Sequence, residues 1–135
     1  MDKEKSKIQL QAEHRSTIAF IYGNECCYRG NMLQSQAFRQ GYMIADLLEA
    51  LKNGIVSFEY RKSDGSIRSA LGTTNPNFDP ELAAYNKMME ERKGGEEGLA
   101  HSKPLLVINY WDCEANGWRS FKAHRLISFN EHESH

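Results

Sequence analysis

Arg119, Lys122, His124 and Arg125 fall within a stretch from Trp118 to Phe129 that holds no acidic residue. Arg61, Lys62 and Arg68 sit on an earlier segment of similar character. Side chains of this kind recognise anions, because the planar guanidinium of arginine can donate two parallel hydrogen bonds to a phosphate or carboxylate. Tyr60, Tyr110, Trp111, Trp118 and Phe121 are interleaved with them, and aromatic rings beside cations offer stacking surface for nucleic-acid bases. The same residues also suit a plainer arrangement, in which the aromatics fill a small core and the arginines form a solvated face.

Templates for catalysis are missing. There is no glycine-rich phosphate loop, no zinc-protease helix motif and no Cys-x-x-Cys pair. Gly94-Gly95 follows an expected helix instead of opening one, so it lacks the geometry that cradles phosphate. Cys113 falls in a turn and His124 at the far end of the returning strand, a separation that strand geometry makes too wide for a nucleophile–base pair. His132 and His135 lie in a polar tail without the rigid support a metal site requires. The expectation is a non-enzymatic protein with no catalytic residue, metal or cofactor.

The bulk numbers set the frame. A chain of 135 residues is one domain with room for its own core. Its formal net charge of −1 supplies no global drive towards nucleic acid or an anionic membrane, so any such attraction is local. No apolar run reaches the ~18 residues of a membrane helix, and the polar N-terminus does not read as a signal segment. Three cysteines, two of them adjacent, fit free thiols in a reducing compartment. A cytoplasmic location without membrane contact follows as an expectation.

The elements that must position the cations are readable in part. Val56, Phe58 and Tyr60 alternate with Ser57, Glu59 and Arg61, the period of a half-buried strand. Asp64-Gly65 suits a two-residue type I′ turn. Ile67 and Leu71 then occupy one side of the return strand, Arg68 and Ala70 the other. A second hairpin joins Leu105–Trp111 to Trp118–Ala123 across Asp112–Gly117, and Arg125–Phe129 forms a short last strand. Ahead of the first hairpin, Ser35 to Asn53 has the apolar period of a helix, with Ser35 as N-cap and Gly54 as the left-handed residue at its end. Asp79-Pro80-Glu81 starts another helix, with a capping carboxylate and a proline at the first helical position. It carries the stripe Leu82, Tyr85, Met88 and Met89 and runs into a flexible loop over 94–103, the pair forming an insertion between the hairpins. Residues 1–15 read as a frayed arm and Thr17–Tyr22 as a strand closed by Gly23-Asn24. Residues 1–32 thus form a poorly patterned extension, 33–129 the domain, and 130–135 a polar tail.

The string Val56-x-Phe58-x-Tyr60-x-Lys62-x-Asp64-Gly65-x-x-Arg68, then Gly72-Thr73-Thr74, Tyr110-x-Asp112 and Trp118-Arg119-Ser120-Phe121-Lys122, resembles a family of small bacterial and phage proteins of unassigned function. They are grouped as WYL-like proteins with an Sm-like, SH3-type β-barrel. The resemblance covers about residues 37–129. WYL domains of bacterial regulators share an Arg-x-Phe-x-x-x-Arg-hydrophobic run, matched here by Arg119, Phe121, Arg125 and Leu126-Ile127. Their Trp-Tyr-Leu strand reads Leu105-Leu106-Val107-Ile108-Asn109 in this chain.

The resemblance implies an α+β fold: a small antiparallel barrel with a leading helix and a helical insertion. It implies Arg119 and Arg125 as ligand contacts with Tyr60, Arg68 and Phe121 beside them, and a regulatory binding module for nucleic acid or a nucleotide-like anion. The alternative is a protein–protein adaptor or homo-oligomeric Sm-like module, with contacts through the apolar helix or exposed strand edges.

Overall fold

The computed structural model describes residues 6–93 and 107–130. In chain order these form α1 (Lys7–Arg29), α2 (Gln34–Asn53), β1 (Val56–Arg61), β2 (Ile67–Thr73), α3 (Pro80–Lys93), β3 (Val107–Asp112), β4 (Gly117–Lys122) and β5 (Leu126–Asn130). Short 3-10 turns cover Pro76–Phe78 and Ala123–Arg125. The expected loop over 94–103 and the tail beyond Asn130 lie outside the described residues.

The five strands make one antiparallel sheet in the order β4-β3-β2-β1-β5. It does not close into the expected barrel, because no ladder joins β4 to β5. The sheet nevertheless curls. β1 and β4 stand three strand spacings apart, roughly 14 Å in a flat sheet, yet Tyr60 of β1 stacks on Phe121 of β4 with ring centroids 4.2 Å apart. Phe58 and Tyr110 complete this inner aromatic cluster, meeting edge-on at 4.8 Å. Ile44, Leu47 and Leu51 of α2 pack against it and are fully buried. Alternation along β1 holds, with Val56, Phe58 and Tyr60 buried. On β2 the inward side is that of Arg68, Ala70 and Gly72, while Ile67 is exposed. Arg68 therefore enters the sheet's inner face, opposite Tyr60 in the ladder.

The first hairpin turns differently from expectation. Only Gly65 has positive φ, at 94°, and Asp64 does not. The Gly65 N–H donates to Lys62 O at 2.9 Å and the Lys62 N–H to Ser66 O at 2.7 Å, the pattern of a type I turn closed by a left-handed glycine. Asp64 acts through its carboxylate, which accepts from the Ser66 N–H and hydroxyl. That serves the turn without an unfavourable left-handed Asp.

The largest correction lies at the N-terminus. Residues 7–29 are one helix, not an arm and a strand. Ser6 and Gln9 form a reciprocal capping box at its start. Gly23, read as a break, lies inside the helix, buried where an added Cβ would fall 2.7 Å from the Phe38 ring. Ala19, Gly23 and Cys26 form the buried stripe of α1, facing Ala37, Gly41 and Ala45 of α2. At Gly41 a Cβ would lie 2.2 Å from the Ala19 carbonyl oxygen, so the two backbones meet directly. Arg15 adds a two-pronged salt bridge to Asp46 at 2.7 and 3.1 Å and lies over the Tyr42 ring. β-branched Thr17 and Ile18 disfavour a helix only weakly, and this docking decides the matter.

α2 begins one residue before the expected cap. Leu33 is the N-cap and makes no side-chain cap bond; Gly54 at the other end is extended, with φ 168°. The carbonyls of the last turn are satisfied from β2 and the residues after it: Leu51 O accepts from the Thr73 hydroxyl and Thr74 N–H, and Lys52 O from the Asn75 amide. A left-handed terminator is thereby unnecessary. α3 starts as expected, its Asp79 carboxylate accepting from the N–H groups of Glu81 and Leu82. Of its stripe only Leu82 is fully buried. Tyr85 packs on Trp111 at 5.4 Å, and Met88 and Met89 are exposed.

Candidate anion-binding groove

The curl leaves a seam where the free edge of β4 faces the end of β1 and the turn before β5. A groove of about 530 Å³ runs along it. Its walls are the five consecutive residues 118–122 of β4, Tyr60 to Ser63, Arg68, Val107 and Arg125. Arg119, Arg125, Arg68, Tyr60 and Phe121 thus all border one space. Among the described residues six cations line it, Arg61, Lys62, Arg68, Arg119, Lys122 and Arg125, and no acid does. A second groove of about 340 Å³ continues past Arg61, Lys62, Ser63 and Arg125 towards His124 and Ile127, again without an acid among the described residues.

Beneath the first groove lies Asp112, 1% exposed in its side chain. Its Oδ2 accepts from Arg68 Nη2 at 3.0 Å and from Arg119 Nε at 2.8 Å. Its Oδ1 accepts from the N–H groups of Glu114 and Ala115 at 2.9 and 3.0 Å. Burial by itself would raise the carboxyl's pKa. The Ala115 N–H, the Arg68 guanidinium, the Glu114 N–H and the Arg119 guanidinium outweigh it, and hold Asp112 below its ordinary value. Asp112 is therefore a fixed negative charge, and one carboxylate serves two guanidiniums. With six positive charges on the walls against one negative beneath them, the groove is strongly positive.

The ladders explain how the arginines converge. Tyr60 pairs with Arg68 across β1 and β2, and Tyr110 pairs with Arg119 across β3 and β4. The two tyrosine hydroxyls meet at 2.8 Å. Burial, then this hydrogen bond, pushes the Tyr110 phenol far above its ordinary pKa, so Tyr110 stays neutral. Arg68 is pinned, only 28% exposed in its side chain. Arg119 is held through Nε alone, with a side chain 42% exposed, and its two Nη groups carry no hydrogen bond within the described residues. Lys62, Lys122 and Arg125 make no ion pair there. Arg61 donates to the Gly65 carbonyl.

Arg125 is placed by the helices. Its 3-10 turn is fastened by the buried Gln40 of α2, which donates to Ala123 O at 3.2 Å and Leu126 O at 2.8 Å. The end of α1 abuts the same turn, where a Cβ on Gly30 would fall 2.5 Å from that of His124. Burial, with Arg125 and Lys122 nearby, lowers the pKa of His124, which keeps its imidazole neutral at physiological pH.

The five aromatics divide. Tyr60, Tyr110, Trp111 and Phe121 are buried, so they form core and groove floor instead of open stacking faces. Trp118 alone among them is substantially exposed, at 43%. Asp112 is not among the residues the sequence offers as contacts, and Trp118 stands there only as one of five aromatics with stacking surface. An aspartate closing a strand, with a turn after it and an arginine seven residues on, was the available signal for the first. Burial and then Asp79 push the Cys113 thiol up to about 12.

A leading helix, a curled five-stranded antiparallel sheet and a cationic seam define a small α+β barrel-like scaffold. The chain belongs to the WYL_2 family, described by an Sm-like SH3 beta-barrel fold, whose sequence profile matches residues 44–127. It is also 29% identical over 92 residues, 67% of this chain and 81% of the relative, to an uncharacterised 11.5 kDa protein from the Gp31-cd intergenic region of Enterobacteria phage T4. No solved structure matches the chain significantly. The family match omits α1 and the first half of α2. No helix among the described residues is long and apolar enough to cross a membrane.

Proposed function

We propose that this protein is a non-enzymatic binding module that takes nucleic acid or a nucleotide-like anion into the seam, in a regulatory role. One observation carries the reading: among the described residues, six cations and no acid line the groove, in a chain whose net charge is −1. A random distribution of charge would mix the signs. Arg119 and Arg125 are the principal contacts, Lys122 and Lys62 assist, and Arg68 stiffens Arg119 through Asp112. Tyr60 and Phe121 form the floor. The test is retention on immobilised single-stranded DNA or RNA, compared with the Lys122→Glu/Arg125→Glu variant. Wild type is retained and released by salt, and the charge-reversed protein flows through. Equal retention of both refutes the site.

A second reading rests on the outer edges of β4 and β5, which pair with no strand among the described residues. Unpaired edge strands are templates for pairing with another chain, and copies joined β4 to β5 would form a homo-oligomer. Light scattering separates the readings: a defined multimer supports this one, and a monodisperse monomer removes it.

A further inference from the structure

The two basic grooves share Arg61, Lys62, Ser63 and Arg125, so they make one continuous track. The β4 portion alone, residues 118–122, extends about 13 Å at strand rise, against ~3.4 Å per nucleotide of a stacked strand. A stacked strand laid along it would set about four phosphates against β4. At the β4 end stands Trp118. Alternation places it with Ser120 and Lys122 on the face of β4 opposite Arg119 and Phe121, and its ladder partner is Trp111. The two indoles meet in a T-shaped contact, at 85° and 5.8 Å, and Trp118 stays 43% exposed and lines the groove. β4 is an edge strand, so a ligand crossing that edge meets guanidiniums on one side and the indole on the other.

Building on the anion-binding reading, we infer that the occupant is a single strand of nucleic acid, with phosphates along the arginine track and a base stacked on Trp118. Trp118 is then the residue that distinguishes a nucleic acid from other polyanions. Stacking of a base on an aromatic side chain is tolerant of sequence, so the recognition is for single-strandedness and not for a particular sequence.

The test is fluorescence anisotropy with a labelled deoxyadenosine oligomer of about twelve nucleotides, using wild type, Trp118→Ala, Trp118→Phe and Arg125→Ala. Inorganic polyphosphate, adenosine monophosphate and oligoglutamate serve as competitors. The expected result is a loss of roughly tenfold or more for Trp118→Ala, substantial recovery in Trp118→Phe, and polyphosphate binding that the Trp118 changes leave untouched. Undiminished oligomer binding by Trp118→Ala, with Arg125→Ala weakened, overturns this inference and leaves the anion site standing. A monophosphate that competes as well as the oligomer overturns the extended strand, and oligoglutamate that binds more tightly overturns it in favour of an acidic protein. Failure of wild type to bind either the oligomer or polyphosphate defeats the anion reading itself.

Discussion

Arg119 Nε donates to Asp112 Oδ2 at 2.8 Å across the turn between β3 and β4, and this bond fixes the guanidinium by its inner nitrogen while the outer two stay available. Arg68 reaches the same oxygen from β2. One buried carboxylate thus joins three strands and orients one wall of the groove.

Replacing Asp112 by alanine removes that joint. It strands two guanidiniums, one of them three-quarters buried, and frees two turn N–H groups. The expected cost is about 2–4 kcal/mol, read from urea unfolding. Asp112→Asn, which keeps an acceptor for the turn, costs less. A change below about 0.5 kcal/mol for the alanine variant would show that the clamp is dispensable.

The same carboxylate sets an acid limit. Its folded-state pKa lies below the ordinary value, so between the two values the unfolded chain binds more protons. The contribution is complete above about pH 4 and is lost as pH falls through the lower, folded value. Thermal melts should lose stability over that window, and Asp112→Asn should flatten part of the slope. Exposed Asp64, also lowered through its Ser66 hydroxyl and N–H contacts, supplies part of the remainder. An identical pH profile for Asp112→Asn contradicts the assignment.

Gln40 links the helical layer to the groove through its bonds to Ala123 and Leu126. Gln40→Ala leaves two carbonyls short of a donor and should cost about 1–3 kcal/mol. It should also weaken anion binding, because Arg125 loses its support, although Gln40 does not line the groove. Unchanged affinity in a destabilised but folded variant would place Arg125 outside the contact set.

Gly41→Ala puts a methyl against the Ala19 carbonyl. The helices must separate, at an expected cost of about 1–3 kcal/mol. Hydrogen exchange should then rise along α1 while β1 and β2 stay protected. Uniform exchange across the chain would mean that α1 and the sheet unfold as one unit.

How legible these features were depends on where their cause lies. Val56-Phe58-Tyr60 declares its strand because alternation is a local property, and Asp79-Pro80 declares its helix by capping chemistry alone. Thr17–Tyr22 misleads because its helical state is decided by its docking on Gly41 and Ala45, far along the chain. Arg68 is another such case. Its inward direction follows from pairing with Tyr60, and a charge on that face is tolerated only because Asp112 meets it. The cationic stretch at Arg119–Arg125 was visible as composition, but which aromatics stay open is a matter of burial. Trp118 and Trp111 differ there, though nothing in their spacing says so.

The central claim is that free cations of the seam, led by Arg125, neutralise phosphates. The most direct measurement is the affinity for a single-stranded oligonucleotide across about 50 to 200 mM salt, for wild type and for Arg125→Ala. The account predicts a steep linear fall of log affinity with log salt, with a slope shallower by about 0.7 in the variant and weaker binding throughout. A slope that Arg125→Ala leaves unchanged, or binding indifferent to salt, would contradict it.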